Sequence, residues 1–243
     1  MSGTFKDKGI VIKEYNTGEW DKNLVLLLAD RGKVTVYAKG ARNPKSKFHT
    51  SSQLFAWSEF VIFEGNGFLS LAQCSLLDTF YYLRLDFERL CCGTHMLELI
   101  DKMILPGMLC KNQLKLLFLS LKAMEKSENP RLVLIMFEFK FFQMEGFSPM
   151  LDLCSVCKKP AGSQGLFCGA GMVCGSCGRA YPEKASLSEA GLYAVKYILK
   201  TEGQKLFAFS LKKEDVDTLM YALSLFRREH LDFEPKSLSL LDG

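Results

Sequence analysis

Histidine is scarce in this sequence. Only His49, His95 and His230 occur, and none lies in a motif with a serine or cysteine that would serve as a nucleophile. There is no G-x-x-x-x-G-K-[ST] loop and no G-x-G-x-x-G turn, so the usual nucleotide cradles are missing as well. Asp86, Glu88, Glu98 and Asp101 fall at helical spacing and read as solvated helix faces rather than as an acid–base pair. These gaps together predict a protein without catalytic turnover. Long apolar runs are also lacking: LVLIMFEFKFF (132–142) is cut by Glu138 and Lys140, so no segment reads as a membrane span. The opening MSGTFKDKG has no apolar core of a secretory signal. The expectation is a cytoplasmic protein with no membrane partner. In that reducing setting the nine cysteines read as thiols or metal ligands, not as a disulfide framework.

The last thing missing is negative charge in one place. The chain is nearly balanced, with a formal net charge of +4, yet from residue 31 to 58 there is no acid at all. Six bases fall in that span, Arg31, Lys33, Lys39, Arg42, Lys45 and Lys47, which makes a local positive field.

What is present divides by period. The first eighty residues carry short aliphatic and β-branched runs: GIVIKEY (9–15), NLVLLLA (23–29), KVTVYAKG (33–40), LFAWSEFVIFEG (54–65) and FLSLAQCSLL (68–77). Asp30-Arg31-Gly32 and Gly65-Asn66-Gly67 mark hairpins between them. Five strands with one polar connection at 41–53 predict a partly open barrel of the OB type, with a five-stranded sandwich fragment as the alternative. From Asp78 the spacing turns helical, through 78–104, 112–127 and a helix opening at Asn129-Pro130. Pro106-Gly107 breaks the first two helices apart. Ser186 and Glu189 suggest a capping box ahead of AGLYAVKYILK, and a last helix covers about 213–230. The predicted class is α+β: an OB-fold barrel (1–80), then an α-helical domain (81–243) that contains a cysteine element (150–182).

That element holds Cys154-x-x-Cys157 and Cys174-x-x-Cys177 with sixteen residues between the pairs. Two such knuckles can bring four thiolates into a tetrahedron, and the segment between them is too glycine-rich (162, 165, 169, 171) to bury a core of its own. Zinc fits this pattern best. An iron–sulfur cluster shares the ligand set, with Cys168 a spare thiol, and a redox pair is a third reading. Lys158 and Lys159 would offset the charge of a thiolate centre, and Gly175 and Gly178 would allow a tight second knuckle. Four thiolates close the coordination sphere and leave no site for an activated water, so a zinc-dependent hydrolase is disfavoured.

KGARNPKSKFH (39–49) repeats a base every two to three residues, beside Tyr37, Phe48, Phe55 and Trp57. A cationic groove with aromatic platforms is how an OB barrel holds a single strand. The bland alternative is a solvated loop with its aromatics in the core.

The whole chain resembles the RecO family of bacterial recombination mediators. The likeness rests on Glu19-x-Asp21, on RGKVTVYAKGAR (31–42), on the inserted CSVC…CGSC, and on the ending FRREHLDFEPKSLSLL with its Lys236-Ser237. It implies an OB-fold domain binding single- and double-stranded DNA, a helical domain and a structural zinc element. It also implies a non-catalytic role: annealing complementary strands and, with RecR, helping to load RecA onto DNA coated by single-stranded DNA-binding protein. The acidic C-terminal tail of that protein is an implied contact, and the implied setting is the cytoplasmic nucleoid. Carried onto this chain, the DNA-contacting candidates are Lys33, Lys39, Arg42, Lys45 and Lys47, with Tyr37 and Phe48 as stacking partners. Arg227, Arg228 and Lys236 are candidates for added basic surface. Asn43-Pro44-Lys45 departs from the family habit of a further base after the third strand. A rival reading is a protein-interaction scaffold of the repair machinery whose lysines are incidental.

Overall fold

The computed structural model describes residues 3–161 and 165–238; Gly162 and the chain end from 239 lie outside the described residues. The chain forms two compact units, Met1–Glu125 and Lys126–Gly243.

In the first unit, β1 (Gly3–Thr17), β2 (Asp21–Leu28), β3 (Gly32–Ala38), β4 (Trp57–Gly65) and β5 (Phe68–Asp78) close into a barrel in the order β1-β2-β3-β5-β4. Alternation sets the inner face: Val11, Leu24, Leu26, Leu28, Val36, Phe60 and Ile62 meet there, fully buried. β1 serves two neighbours because its register slips between Val11 and Lys13. Its first half pairs with β4 and its second with β2, and such a bulge bends a long strand as closure requires. The seam closes in parallel at Tyr37↔Ser70. The five strands and the barrel expected from the sequence are both found.

Helical spacing from Asp78 misplaces one boundary. Asp78 ends β5, its Oδ1 accepts from Phe80 N–H (2.9 Å), and Phe80 is left-handed (φ 47°). A 3-10 turn (Tyr81–Leu85) follows, and α1 (Phe87–Met103) starts only where Asp86 caps Arg89 N–H at 2.8 Å. α2 (Lys111–Lys126) sets Phe118 against Trp57 (4.9 Å) and Phe80 (5.7 Å), and Lys122 ion-pairs with Asp78. The helices therefore hold the barrel from outside.

The break at Pro106-Gly107 has a purpose in packing. Gly107 N–H donates to Lys33 O (3.0 Å), seating the α1–α2 connection on the start of β3. Gly32 makes this possible: its φ is +66°, and a Cβ there would lie 1.8 Å from Met108 O.

In the second unit, α3 (Pro130–Met144) opens at Asn129, whose Oδ1 accepts from Leu132 N–H at 3.0 Å. Every residue from Leu132 to Phe142 is buried, including Glu138, which accepts from Arg227, and Lys140, which donates to Gln143 and to Leu199 O. α4 (Glu189–Lys200) and α5 (Lys213–His230) pack on it, with Phe142 and Phe226 rings 5.4 Å apart. The cap of α4 is Ser188, which accepts from Gly191 N–H at 2.9 Å, and not Ser186. Ser186 instead belongs to β8 (Ala185–Leu187). With β6 (Gly165–Cys168) and β7 (Gly171–Val173) it makes a small sheet, order β7-β6-β8, in a segment whose sequence has no visible period. α5 lies against β6 and β8.

Candidate nucleic-acid interface and metal centre

Residues 39–56 connect β3 to β4 through successive turns, and this basic segment is pinned at its entry by one carboxylate. Asp21 Oδ1 accepts Gly40 N–H at 2.6 Å, and its other oxygen accepts the Tyr37 hydroxyl. The Tyr37 hydroxyl, then the Gly40 N–H, hold the Asp21 carboxyl below the usual carboxylate range, and Asp21 in return pushes the Tyr37 phenol up. Arg42 N–H donates to Trp20 O (2.9 Å) and its guanidinium to Gly18 O (3.2 Å), so the β1–β2 turn is fastened to the same segment. A second carboxylate, Asp7, works at the opposite hairpin: it is buried and accepts from Asp30 N–H (3.0 Å) and Arg31 N–H (3.1 Å). The motif Glu19-x-Asp21 does not by itself reveal the task of Asp21, and Asp7 belongs to no motif. One signal does mark Asp7 in the sequence: it falls between Phe5 and Val11 at a core-facing period in β1.

Lys39, Arg42, Lys45 and Lys47 are exposed on this pinned segment. Lys47 Nζ reaches Ala72 O at 3.3 Å and lies 4.8 Å from the centre of the Phe48 ring. Tyr37 is half-buried, its ring 5.7 Å from that of Phe68. Two expected contacts fall away. Lys33 is buried, with Nζ 2.5 Å from Asp101 O and 3.6 Å from Asp101 Oδ1; together with Lys13, 2.8 Å from Asp101 Oδ2, it clamps α1 to the barrel. Phe48 is buried in the barrel core and presents no face to a base. Phe55 is likewise fully buried.

Two bases in α5 are also committed. Arg227 Nη1 donates to both carboxylate oxygens of Glu138, at 2.9 and 2.7 Å, and Arg228 pairs with Glu183 at 3.1 Å. Arg227 is thus a core ion pair rather than added basic surface. Lys236 is exposed.

Cys154, Cys157, Cys174 and Cys177 come together with all four sulfurs within 4.8 Å of one another. Cys157 and Cys174 Sγ are 3.8 Å apart. A regular tetrahedron of thiolates with metal–sulfur bonds of ~2.3 Å has edges of ~3.8 Å, so the spacing suits a metal. Each knuckle is closed by backbone bonds. Lys158 N–H donates to Cys154 O (2.9 Å), Cys154 N–H to Lys159 O (2.7 Å), and Gly178 N–H to Cys174 O (2.8 Å). Lys158 takes a left-handed turn (φ 62°) and its ammonium lies on Ser155 O (2.9 Å). Gly178 matters for space, since a Cβ there would sit 3.0 Å from Leu166 Cδ1. As thiols Cys174 and Cys177 are pushed apart: bonds from Ser176 and then Cys177 draw Cys174 down to about 6, while Cys174 and then Cys157 push Cys177 up to about 12. A cation bound among the four sulfurs would take the place of the protons. Cys168 stands outside the ligand set, buried against Cys154 and Val173.

A five-stranded barrel with an anchored cationic segment, carried with a helical unit that bears a four-cysteine clip, has the architecture of an OB-fold protein, a class whose members often hold oligonucleotides. Residues 1–80 match the family model "Recombination protein O N terminal", and residues 84–239 match "Recombination protein O C terminal". The chain belongs to the RecO family. It is 30% identical over 230 residues to the DNA repair protein RecO of Acetivibrio thermocellus, covering 93% of this chain and 92% of that protein. It is 31% identical over 246 residues to DNA repair protein RecO of a Thermoanaerobacter species, covering 98% and 97%. The protein of that name from Clostridium acetobutylicum is 28% identical over 242 residues. Membership makes this a DNA repair protein of the recombination-mediator type. No helix among the described residues is long and apolar enough to cross a membrane.

Proposed function

We propose that this protein binds single- and double-stranded DNA through the barrel, anneals complementary strands, and promotes recombinational repair without breaking or making covalent bonds itself. The observation that carries the reading is the segment 39–47: four exposed cations on a loop that Asp21 fixes to the barrel. Fixed charges on a rigid scaffold meet a phosphate chain at little ordering cost, and neutralising it releases counterions. By the family resemblance the protein partners are RecR, the C-terminal tail of single-stranded DNA-binding protein and, indirectly, RecA, and the setting is the cytoplasmic nucleoid. The barrel, residues 1–80, is the DNA-binding module. The four cysteines hold a structural zinc ion: thiolates select it by softness and geometry, and a closed S4 set has no open position for chemistry.

Gel-shift and strand-annealing assays on the wild type and on Lys39→Glu/Arg42→Glu test the proposal. The double variant is expected to lose DNA binding and annealing while keeping its fold. Undiminished binding would shift the account to a protein-interaction scaffold.

A further inference from the structure

Strand preference follows from where the barrel leaves its aromatic rings. Tyr15, Asn23 and Tyr37 are direct partners across β1, β2 and β3, and Tyr37 pairs onward with Ser70 of β5. Direct cross-strand partners share a face, so Tyr15 and Tyr37 stand on one surface of three adjoining strands. Phe68, two residues before Ser70, points to that same surface and touches Tyr37. Phe68 leaves the β4–β5 hairpin, whose Asn66 (φ 54°) and Gly67 (φ 73°) make a tight turn. Trp20 ends the β1–β2 turn, one residue before Asp21 and fastened to Arg42. Trp20 is 49% and Phe68 50% exposed, so about half of each side chain is open to a ligand. The β1–β2 loop, the β2–β3 face and the β4–β5 loop are the parts of an OB barrel that receive oligonucleotides. The Tyr37 and Phe68 rings therefore lie where a nucleic-acid chain would pass, and Trp20 is an exposed residue of the turn that borders this surface, beside the exposed Lys39 and Arg42.

We infer that Trp20, Tyr37 and Phe68 form a stacking track for unpaired bases, so that this face selects single strands over duplex. The inference rests on the proposed DNA binding and adds to it which element of DNA is read. The cations meet the phosphates of either form. The rings reward only bases that are free of partners, because a duplex keeps its base faces inside the stack. Neighbouring strands lie ~4.8 Å apart, so Tyr37 on β3, Phe68 on β5 and Trp20 on the turn that enters β2 cover roughly 10 Å, room for more than one base. Stacking reads no hydrogen-bond pattern, so the track is indifferent to sequence. Phe48 has no place in it, being buried.

Binding of a dT oligonucleotide and of a blunt duplex is compared for the wild type, Trp20→Ala, Phe68→Ala, Lys39→Glu/Arg42→Glu and Tyr193→Ala. Tyr193 is an exposed aromatic of α4 and serves as control. Each stacking variant is expected to weaken single-strand binding about five-fold or more. Duplex binding and the salt slope should stay as they were. The two tryptophans allow a second readout: in Trp57→Phe, Trp20 is the sole emitter, and the oligonucleotide but not the duplex should quench it. Equal losses on strand and duplex, no loss on either, no quenching, or an equal effect of Tyr193→Ala would overturn the inference. If at the same time the charge-reversal variant loses both ligands, the proposed DNA binding stands without the stacking track. A wild type that binds neither form removes both.

Discussion

Replacing Arg227 with alanine should cost the second unit about 3–5 kcal/mol at pH 7. Glu138 is fully buried and Arg227 only 12% exposed, and Arg227 Nη1 donates to both Glu138 oxygens at 2.7 and 2.9 Å. Breaking a buried, hydrogen-bonded ion pair by removing one member typically costs about 3–5 kcal/mol. The loss corresponds to a fall in melting temperature of roughly 10 °C. Thermal melts of the wild type and Arg227→Ala at pH 7 read the loss. Glu138→Met/Arg227→Met, which removes both charges, should lie close to the wild type. A single variant within 1 kcal/mol of wild type at pH 7 would refute the reasoning and return Arg227 to the surface.

Other expectations follow from named contacts. Purified protein should carry about one zinc per chain by metal analysis; Cys154→Ser should lose it and Cys168→Ala keep it, and a coloured iron–sulfur preparation would contradict the assignment. Gly32→Ala should destabilise the first unit by at least about 1–2 kcal/mol from the left-handed backbone alone, and by more because the new Cβ meets Met108 O; unchanged denaturant midpoints would count against the docking of the 104–110 connection. Asp21 has a depressed folded-state pKa, so its anchoring is complete above the unfolded value of ~3.9 and fades only as pH drops through the lower folded one. The Gly40 amide should keep its chemical shift from pH 7 to pH 5, and in Asp21→Asn the Tyr37 phenol should titrate closer to its ordinary value.

The barrel could be read from the sequence because β-propensity and alternation agree there: Val11, Leu24, Leu26 and Leu28 sit inside as their period demands. The four-thiolate clip was equally plain, since two Cys-x-x-Cys pairs need only the fold to bring their ends together. Positions set by tertiary partners were not visible. Lys33 looks like any member of the basic run, and only the arrival of α1, with Asp101, buries it. Phe48 is adjacent to Lys47 in sequence, yet a turn sends one side chain into the core and leaves the other outside. Trp20 and Phe68, the proposed stacking residues, are hidden for the opposite reason: they lie outside the basic run in sequence and join it only through the hairpins and the β3–β5 seam. The small sheet β6–β8 has strands of three and four residues, too short for any period to show.

The most direct test of the central claim is the salt dependence of single-strand binding. Lys33 is committed to Asp101, leaving the exposed Lys39, Arg42, Lys45 and Lys47 as the proposed phosphate contacts. Four contacts predict a slope of log K against log salt of about −2.8, falling to about −1.4 or shallower in Lys39→Glu/Arg42→Glu and staying unchanged in a folded Lys33→Met. A slope near zero in the wild type, or one that the charge reversals do not alter, would contradict the account.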